Sequence, residues 1–244
     1  MKHIATLLMG IAVFAQSTLA LAPTDPTEDP FRSGLAALRA ARYDDAYTLL
    51  TEAVKVQPDN AKAWYYRGVA LQNMGEADAA LQDVDRALAL DHADADAHLT
   101  RAEILIVSAY YQEARQELEN LLRIRTSEPI AVNALFSLGV ACSMQDDDAA
   151  ALQAYDRLIA LAPTDARAWC DRGITRSRMG DQQGAIEDLT EAIRLDPRQV
   201  NAYAARSYAF GRAGQRSEAC GDALRARALG DPGMSGQVLS YCDQ

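Results

Sequence analysis

The sequence lacks the short motifs that many enzymes and metal proteins carry. It contains no Gly-x-Gly-x-x-Gly, no phosphate-binding loop, no His-Glu-x-x-His and no Gly-x-Ser-x-Gly. The 244 residues include only three histidines and four cysteines, and no two cysteines form a Cys-x-x-Cys pair. We therefore predict a protein that is not an enzyme and has no catalytic residues, cofactor or metal site.

Positive charge is also scarce, with 24 Lys and Arg against 34 Asp and Glu and a net charge of −10. Such a chain repels phosphate backbones, so nucleic acid is not an expected partner. Aromatic residues make up 7 % of a chain that is 49 % hydrophobic, a composition that favours alanine-rich helices in close contact. The acidic stretches 91–98 and 145–148 are interpreted as helix caps and solvated turns rather than metal sites.

The first twenty residues have the pattern of a secretory signal peptide. Lys2 precedes a short apolar segment, and small residues at Thr18 and Ala20 provide a cleavage site after Ala20. An uncleaved membrane anchor is the alternative, but the apolar segment is shorter than the about 20 residues that a spanning helix needs. We expect a signal peptide at 1–20, a flexible lead at 21–26, and a periplasmic protein with no membrane attachment after cleavage. Secretion remains the alternative location.

Internal repetition is the strongest feature. Alanines recur at intervals of 34, 34, 37, 34 and 34 residues, at Ala46, Ala80, Ala114, Ala151, Ala185 and Ala219. Each has a small residue twelve places before it and an apolar residue seven places after it. The apolar spacing within each repeat is helical, and Gly75, Gly180 and Gly214 are placed to end the first helix. Each repeat is therefore predicted to form a helical hairpin.

This pattern resembles the tetratricopeptide repeat (TPR) family. The matching positions include the aromatic residues Trp64, Trp169 and Tyr203, whereas His98 and Leu135 depart from the pattern at that position. The resemblance implies an all-α, right-handed superhelical solenoid with a C-terminal capping helix at 234–244. Its six helix-turn-helix repeats, over 27–233, are 27–60, 61–94, 95–131, 132–165, 166–199 and 200–233.

Arginine and acid occur together inside the repeats. Repeats two, three, five and six have an arginine before the small residue and an acid sixteen places later: Arg67 and Asp83, Arg101 and Glu117, Arg172 and Asp188, Arg206 and Asp222. Repeats one and four lack both, with Ser33 and Leu49 or Leu138 and Ala154 in their place. We predict structural ion pairs between the two helices of each hairpin. A row of arginines for anionic ligands is the alternative.

The resemblance also implies a partner-binding groove on the first helices of the repeats. The residues that it assigns there are Lys62, Tyr65, Val69, Asn73, Leu99, Ile106, Phe136, Val140, Met144, Arg167, Ile174, Arg178, Tyr208 and Arg212. An apolar centre and a basic end suit a peptide with apolar anchors and an acidic residue. The expected function is a protein- or peptide-binding scaffold of the cell envelope. Glycan or cell-wall polymer binding and a regulatory subunit of an envelope enzyme are the alternatives.

Two cysteines are candidates for a disulfide. Cys220 begins the second helix of repeat six, and Cys242 lies late in the predicted capping helix. Neighbouring antiparallel helices bring such positions together, and export places them in an oxidising compartment. Cys142 and Cys170 are expected to be small buried or groove residues.

Overall fold

The computed structural model describes residues 29–124, 126–231 and 242, and these form helices and turns without a β-strand. The predicted signal peptide and flexible lead lie outside the described residues, as does the capping helix apart from Cys242. No described helix has both the length and the apolar character needed to cross a membrane. The predicted all-α class, made of consecutive helical hairpins, is confirmed.

The chain divides into two compact units between Tyr110 and Tyr111. Unit 1 contains repeats one and two and the first helix of repeat three. Its described helices are α1 (Pro30–Arg39), α2 (Tyr43–Val56), α3 (Ala61–Met74), α4 (Ala77–Leu90) and α5 (Ala95–Val107). Each helix packs against the next along the chain, so every hairpin also covers a face of its neighbour.

Unit 2 begins with the second helix of repeat three and contains repeats four to six. Its described helices are α6 (Tyr111–Leu121), α7 (Glu128–Met144), α8 (Asp148–Leu161), α9 (Ala166–Arg178), α10 (Gln182–Leu195), α11 (Val200–Arg212) and α12 (Arg216–Ala228). The three inserted residues change the helix lengths here. With 11 residues α6 is shorter than α4, which has 14, and α7 reaches 17.

Each hairpin turn contains one residue with a left-handed backbone conformation, which is glycine in three turns and another residue type in the other three. Gly75, Gly180 and Gly214 have φ values of 86°, 92° and 79°, a region that glycine enters at little cost. The turns of repeats one, three and four instead hold Ala41, Ala109 and Asp146 at φ values of 54°, 63° and 58°. An L-residue in that conformation is strained by roughly 1–2 kcal/mol.

The two helices of a hairpin cross where the small residue lies. A Cβ added to Gly68 would stand 2.8 Å from Val84 Cγ2 and 3.2 Å from the Ala80 carbonyl oxygen. A Cβ on Gly173 would meet Leu189 and the Ala185 carbonyl at the same distances. Glycine therefore permits the close approach of the backbones. Because the recurring alanines are also fully buried, the interior is built from small side chains.

A disulfide joins Cys220 in α12 to Cys242, with Cα atoms 5.2 Å apart. Cys242 also packs near Ala223 and Ala226, the buried residues of α12. Closing this loop restricts the unfolded chain and stabilises the end of the array by about 3 kcal/mol in the chain-entropy account. Cys142 and Cys170 are free and buried, and burial raises the pKa of both thiols.

Candidate functional site

The arginine that follows an aromatic residue in α3 is held inside its hairpin. Arg67 Nε and Nη2 donate to the two carboxylate oxygens of Asp83 at 2.6 and 2.7 Å. The guanidinium also lies 4.7 Å from the ring centre of Trp64. The Trp64 indole donates to the carbonyl oxygen of Pro58 at 2.9 Å, which fixes the ring on the end of the preceding repeat. The hydrogen bonds to Asp83 raise the pKa of Arg67.

The same arrangement recurs in repeats five and six. Arg172 donates to both carboxylate oxygens of Asp188 at 2.8 and 2.7 Å, and Arg206 to both of Asp222 at 2.7 and 2.9 Å. The Arg172 guanidinium lies 4.8 Å from the ring of Trp169. We call these three guanidinium–carboxylate contacts the seam ion pairs. The Arg172 and Asp188 side chains are only 12 % and 3 % exposed, so this pair offers a ligand little access.

Each seam arginine also reaches the preceding repeat through its third nitrogen. Arg67 Nη1 lies 3.5 Å from Thr51 Oγ1, and Arg206 Nη1 donates to Thr190 Oγ1 at 2.9 Å. Arg172 Nη1 donates to Asp156 at 2.8 Å. Each guanidinium therefore connects three helices, namely both helices of its own repeat and the second helix of the repeat before.

Arg101 of repeat three follows part of this pattern within unit 1. Its Nε donates to Asp85 Oδ1 at 2.7 Å, and Asp85 lies sixteen residues before it in α4. Glu117, the acid predicted to pair with Arg101, belongs to unit 2. The Arg101–Glu117 pair stays a prediction.

Lys62, Tyr65 and Asn73, three groove residues of unit 1, already have polar contacts within the unit. Lys62 Nζ donates to Asp94 at 2.7 Å, and the Tyr65 hydroxyl lies 3.4 Å from Thr100 Oγ1. Burial raises the pKa of Tyr65 to about 12. The Asn73 side chain donates to the carbonyl oxygen of Val69 at 2.8 Å, on its own helix.

Two residues of the predicted groove expose too little surface for a partner. Leu99 and Ile106 in α5 are 8 % and 7 % exposed and belong to the packed interior. The family position alone does not reveal this, because burial also depends on the side chains that the neighbouring helices provide. We leave both residues out of the proposed surface.

The groove residues of unit 2 are more accessible and form two pairs of arginine and aromatic ring. The Arg167 guanidinium of α9 lies 4.6 Å from the Phe136 ring of α7. In α11 Arg212 lies 5.8 Å from the Tyr208 ring and donates to its hydroxyl at 3.2 Å. The Arg167 side chain is 52 % exposed and Tyr208 is 43 % exposed, unlike the seam arginines. We define the unit 2 surface as Phe136, Val140, Met144, Arg167, Ile174, Arg178, Tyr208 and Arg212.

The predicted basic end of the groove is largely neutralised. Arg167 donates to both carboxylate oxygens of Asp165 at 3.1 and 2.7 Å, and Arg178 is bonded to Asp148. Of the three arginines at this end, Arg212 alone has no carboxylate within ion-pair distance among the residues that the structure describes. The expected preference for an acidic peptide at this end is therefore poorly supported, since two of its three arginines already have acidic partners.

Asp171 is a charged residue near this surface that the sequence analysis missed. It lies on α9 between Arg167 and Arg178, and within the described chain its carboxylate makes no hydrogen bond or ion pair. Burial raises the pKa of Asp171 from its ordinary value to about 7, although the positive charges of Arg167 and Arg178 act in the opposite direction. Asp171 follows Arg167 by four residues and precedes Arg178 by seven. This helical spacing alone could have placed Asp171 on the same face of α9 as the two arginines.

The acidic segment between repeats two and three has structural roles. The Asp94 side chain accepts from the Ala97 amide at the start of α5 and holds Lys62. The ring of His98 lies with Nε2 3.0 Å from the carbonyl oxygen of His92. No group of three potential ligands is arranged for a metal ion within the described ranges.

Comparison with known proteins identifies the protein family to which the chain belongs. Two tetratricopeptide repeat models match residues 31–97, 99–166 and 140–209. Since these matches together span more than half of the sequence, the chain belongs to the tetratricopeptide repeat family. Membership of this family supports a protein-interaction scaffold.

The curated relatives are larger proteins. The chain is 32 % identical to DnaJ homolog subfamily C member 3 of Mus musculus over 119 residues, which are 49 % of this chain and 24 % of the relative. The match to the Rattus norvegicus protein of the same name is 33 % identical, with the same coverage of both chains. The chain thus spans about a quarter of the length of these relatives.

Solved structures share the fold at low sequence identity. The type IV pilus biogenesis factor PilW superposes with a TM-score of 0.77 and 18 % identity, covering 86 % of this chain and 96 % of that one. PilF of Pseudomonas aeruginosa gives a TM-score of 0.75 and 17 % identity, covering 87 % and 94 %. YrrB, described as a TPR protein with an unusual peptide-binding site, gives 0.63 and 20 %, covering 80 % and 98 %.

Proposed function

We propose that this chain is a non-catalytic scaffold that binds another protein or peptide through the unit 2 surface. The observation that carries the proposal is two accessible arginine–aromatic pairs, in which Arg167, Tyr208 and Arg212 are exposed and Phe136 is half-buried. Tyrosine and arginine are enriched among the residues that dominate interface energies. The half-buried Val140 and Met144 of α7 and Ile174 of α9 add apolar area to this surface.

The charges near this surface favour a partner with few acidic groups. Asp165 and Asp148 already hold two of the arginines, and Asp171 adds a carboxylate that is partly ionised near neutral pH. A partner would therefore gain most from apolar contact and from stacking on exposed rings and guanidinium planes.

The double variant Phe136→Ala/Tyr208→Ala tests the surface. We expect it to lose capture of partners from a cell-envelope extract, measured by affinity purification and mass spectrometry, and to keep its helical circular dichroism. The matched control is Leu161→Ala/Leu224→Ala, which removes two exposed apolar side chains from α8 and α12, the second helices of their repeats. Equal capture by the wild type and the Phe136/Tyr208 variant would refute the proposal. Retention of glycans instead of proteins would favour the polymer-binding alternative.

We also propose that the chain is exported to the periplasm and cleaved after Ala20. The basis is the N-terminal pattern of Lys2, a short apolar segment and small residues at the cleavage site. N-terminal sequencing of the protein from a periplasmic fraction is expected to begin at Leu21. An intact N-terminus in the membrane fraction would instead support an anchor.

A further inference from the structure

Unit 2 contains a cavity of about 250 Å³ that is separate from the unit 2 surface. It lies between α6, α7 and α8, and its lining includes Leu122, Leu138, Ala154 and Cys142. These positions are informative when they are compared with the next repeat. Leu138 and Ala154 take the places that Arg172 and Asp188 occupy there, 34 residues later.

The cavity therefore lies where repeat four lacks the seam ion pair. In repeat five the guanidinium of Arg172 fills this space and contacts Asp188 and Asp156. The position equivalent to Asp156 in repeat three is Glu119, five residues after the recurring Ala114, and Glu119 also lines the cavity. Leu138 and Ala154 thus replace two of the three polar residues, and together with Leu122 and Cys142 they give the cavity apolar walls beside Glu119.

Repeat one also lacks the ion pair and has different residues in its place. It has Ser33 and Leu49 at the two positions, and Leu49 packs against the buried cluster that includes Leu50 and Ala70. A leucine thus replaces the acid in repeat one, whereas the much smaller Ala154 replaces it in repeat four. The small side chain therefore lies on the second helix in repeat four and on the first helix in repeat one.

The rim of the cavity is basic in a protein that is acidic overall. Arg115 is neutralised by Glu119 and Asp147, to which it donates at 3.0 and 2.8 Å. Arg123 and Arg157 are exposed, and neither has a carboxylate within ion-pair distance among the described residues. Two guanidinium groups next to apolar walls form a site for an apolar group that has carboxylates beside it.

We propose that this cavity binds one large apolar side chain of a protein partner that is flanked by aspartate or glutamate. The volume is below the about 300–1,000 Å³ of pockets that enclose a drug-sized ligand, so a single side chain is the appropriate size. The inference does not depend on the unit 2 surface, because the cavity uses α6, α7 and α8 and none of the residues of that surface.

A short synthetic peptide provides the probe. Acetyl-Glu-Glu-Phe-Glu-Glu-amide is titrated into the full chain, and binding is followed through the amide NMR signals. We expect the shifts to cluster in α6, α7 and α8, and the affinity to fall as salt is added. Peptides with alanine in place of phenylalanine, or with lysine in place of glutamate, are expected to bind at least about tenfold more weakly. Equal binding of the phenylalanine and alanine peptides would overturn the proposal.

The decisive variant restores the missing ion pair. Leu138→Arg/Ala154→Asp installs the pair that repeats two, five and six have, and fills the cavity from inside. We expect helical content to be retained and peptide binding to be lost. If peptide binding persists in this variant but disappears in Phe136→Ala/Tyr208→Ala, the peptide occupies the unit 2 surface and the cavity proposal is wrong.

A second variant keeps the proposal testable if the restored pair does not fold. Arg123→Gln/Arg157→Gln removes two exposed charges from the rim without altering the apolar walls. It is expected to weaken binding about tenfold and to reduce the salt dependence. Arg198→Gln/Arg227→Gln removes two exposed charges elsewhere in unit 2 and serves as the control. Equal losses in both variants would show non-specific attraction and overturn the proposal.

Discussion

Repeats four and five are neighbours in unit 2 and close the same helical crossing in different ways. In repeat five, Arg172 and Asp188 connect α9 and α10 through two short hydrogen bonds. In repeat four the equivalent residues are Leu138 and Ala154, which are 6 % and 2 % exposed and make an apolar contact region with a cavity beside it. The hairpin fold therefore does not require the ion pair.

The comparison explains why arginine and acid disappear together. Either charge alone at this crossing would be desolvated without a partner, and removal of one member of a buried pair typically costs about 3–5 kcal/mol. Joint replacement by apolar residues avoids that penalty. The crossing itself is preserved by glycine in both repeats, where Gly139 faces the ring of Tyr155 and Gly173 faces Leu189.

The largest expected effect comes from breaking the pair in repeat five on one side. Asp188→Ala leaves Arg172, and also Arg176 at 3.0 Å, without their buried acceptor. We expect the free energy of unfolding in urea to fall by about 3–5 kcal/mol, with capture of a partner unchanged.

The control for this prediction is the second acid on the same arginine. Asp156 also bonds Arg172, at 2.8 Å, but its side chain is 58 % exposed. Asp156→Ala should cost less than about 1 kcal/mol. Similar losses in the two variants would contradict the view that burial distinguishes the two contacts.

A smaller, pH-dependent effect is expected at Asp171, where repeat four has the uncharged Ser137. Because the folded state raises the pKa of Asp171 to about 7, it retains a proton that the unfolded chain loses near pH 4. This residue therefore reduces stability as the pH rises from about 4 to about 7, and the reduction is complete above that range.

Asp171→Asn removes the titration and should raise the free energy of unfolding by about 2 kcal/mol at pH 8, with little change at pH 4. This is about half of what three pKa units represent, because the half-buried side chain keeps some contact with water. Thermal unfolding at a series of pH values measures the difference. Asp156→Asn, which removes an exposed carboxylate, is the control for the loss of a negative charge in unit 2. A gain at Asp171→Asn that is equal at every pH would indicate altered packing instead of a removed charge.

The smallest effects are expected in the turns, where repeat five has Gly180 and repeat four has Asp146. Gly180→Ala should cost about 1 kcal/mol, since φ is 92° and no atom lies within 4 Å of the added Cβ to compensate. Asp146→Gly should gain about 0.5 kcal/mol by relieving the same strain. Gly221→Ala inside α12 is the control, because there alanine should stabilise the chain.

The periodicity of the sequence predicted the hairpins well because the crossing leaves few choices of side chain. The periodic positions must hold small residues wherever two helices touch. Alanine and glycine at these positions therefore identify the fold without further information. Three turns were predicted from their glycines, and the turn of repeat four was predicted from the acidic stretch 145–148. Ala41, Ala109 and Asp146 adopt the same left-handed conformation without the residue type that signals it.

The candidate site was less predictable because it depends on contacts between repeats. Helical position placed Tyr208 and Arg212 on an accessible face, but the same reasoning included the buried Leu99 and Ile106. It also treated Arg178 as available, although Asp148 holds it. Arg178 and Asp148 are thirty residues apart and meet because one repeat packs on the next. The spacing of residues inside one repeat does not predict such contacts.

Each seam arginine connects three helices, and these connections affect the order in which the repeats unfold. Arg172 bonds α8 and α10 while it belongs to α9, and Arg206 bonds α10 and α12 from α11. Such contacts couple each repeat to the previous one, so we expect α8 to α12 to open together as a single cooperative block. Leu138 provides no such bond from α7, so the amide hydrogens of α7 should exchange faster than those of α9.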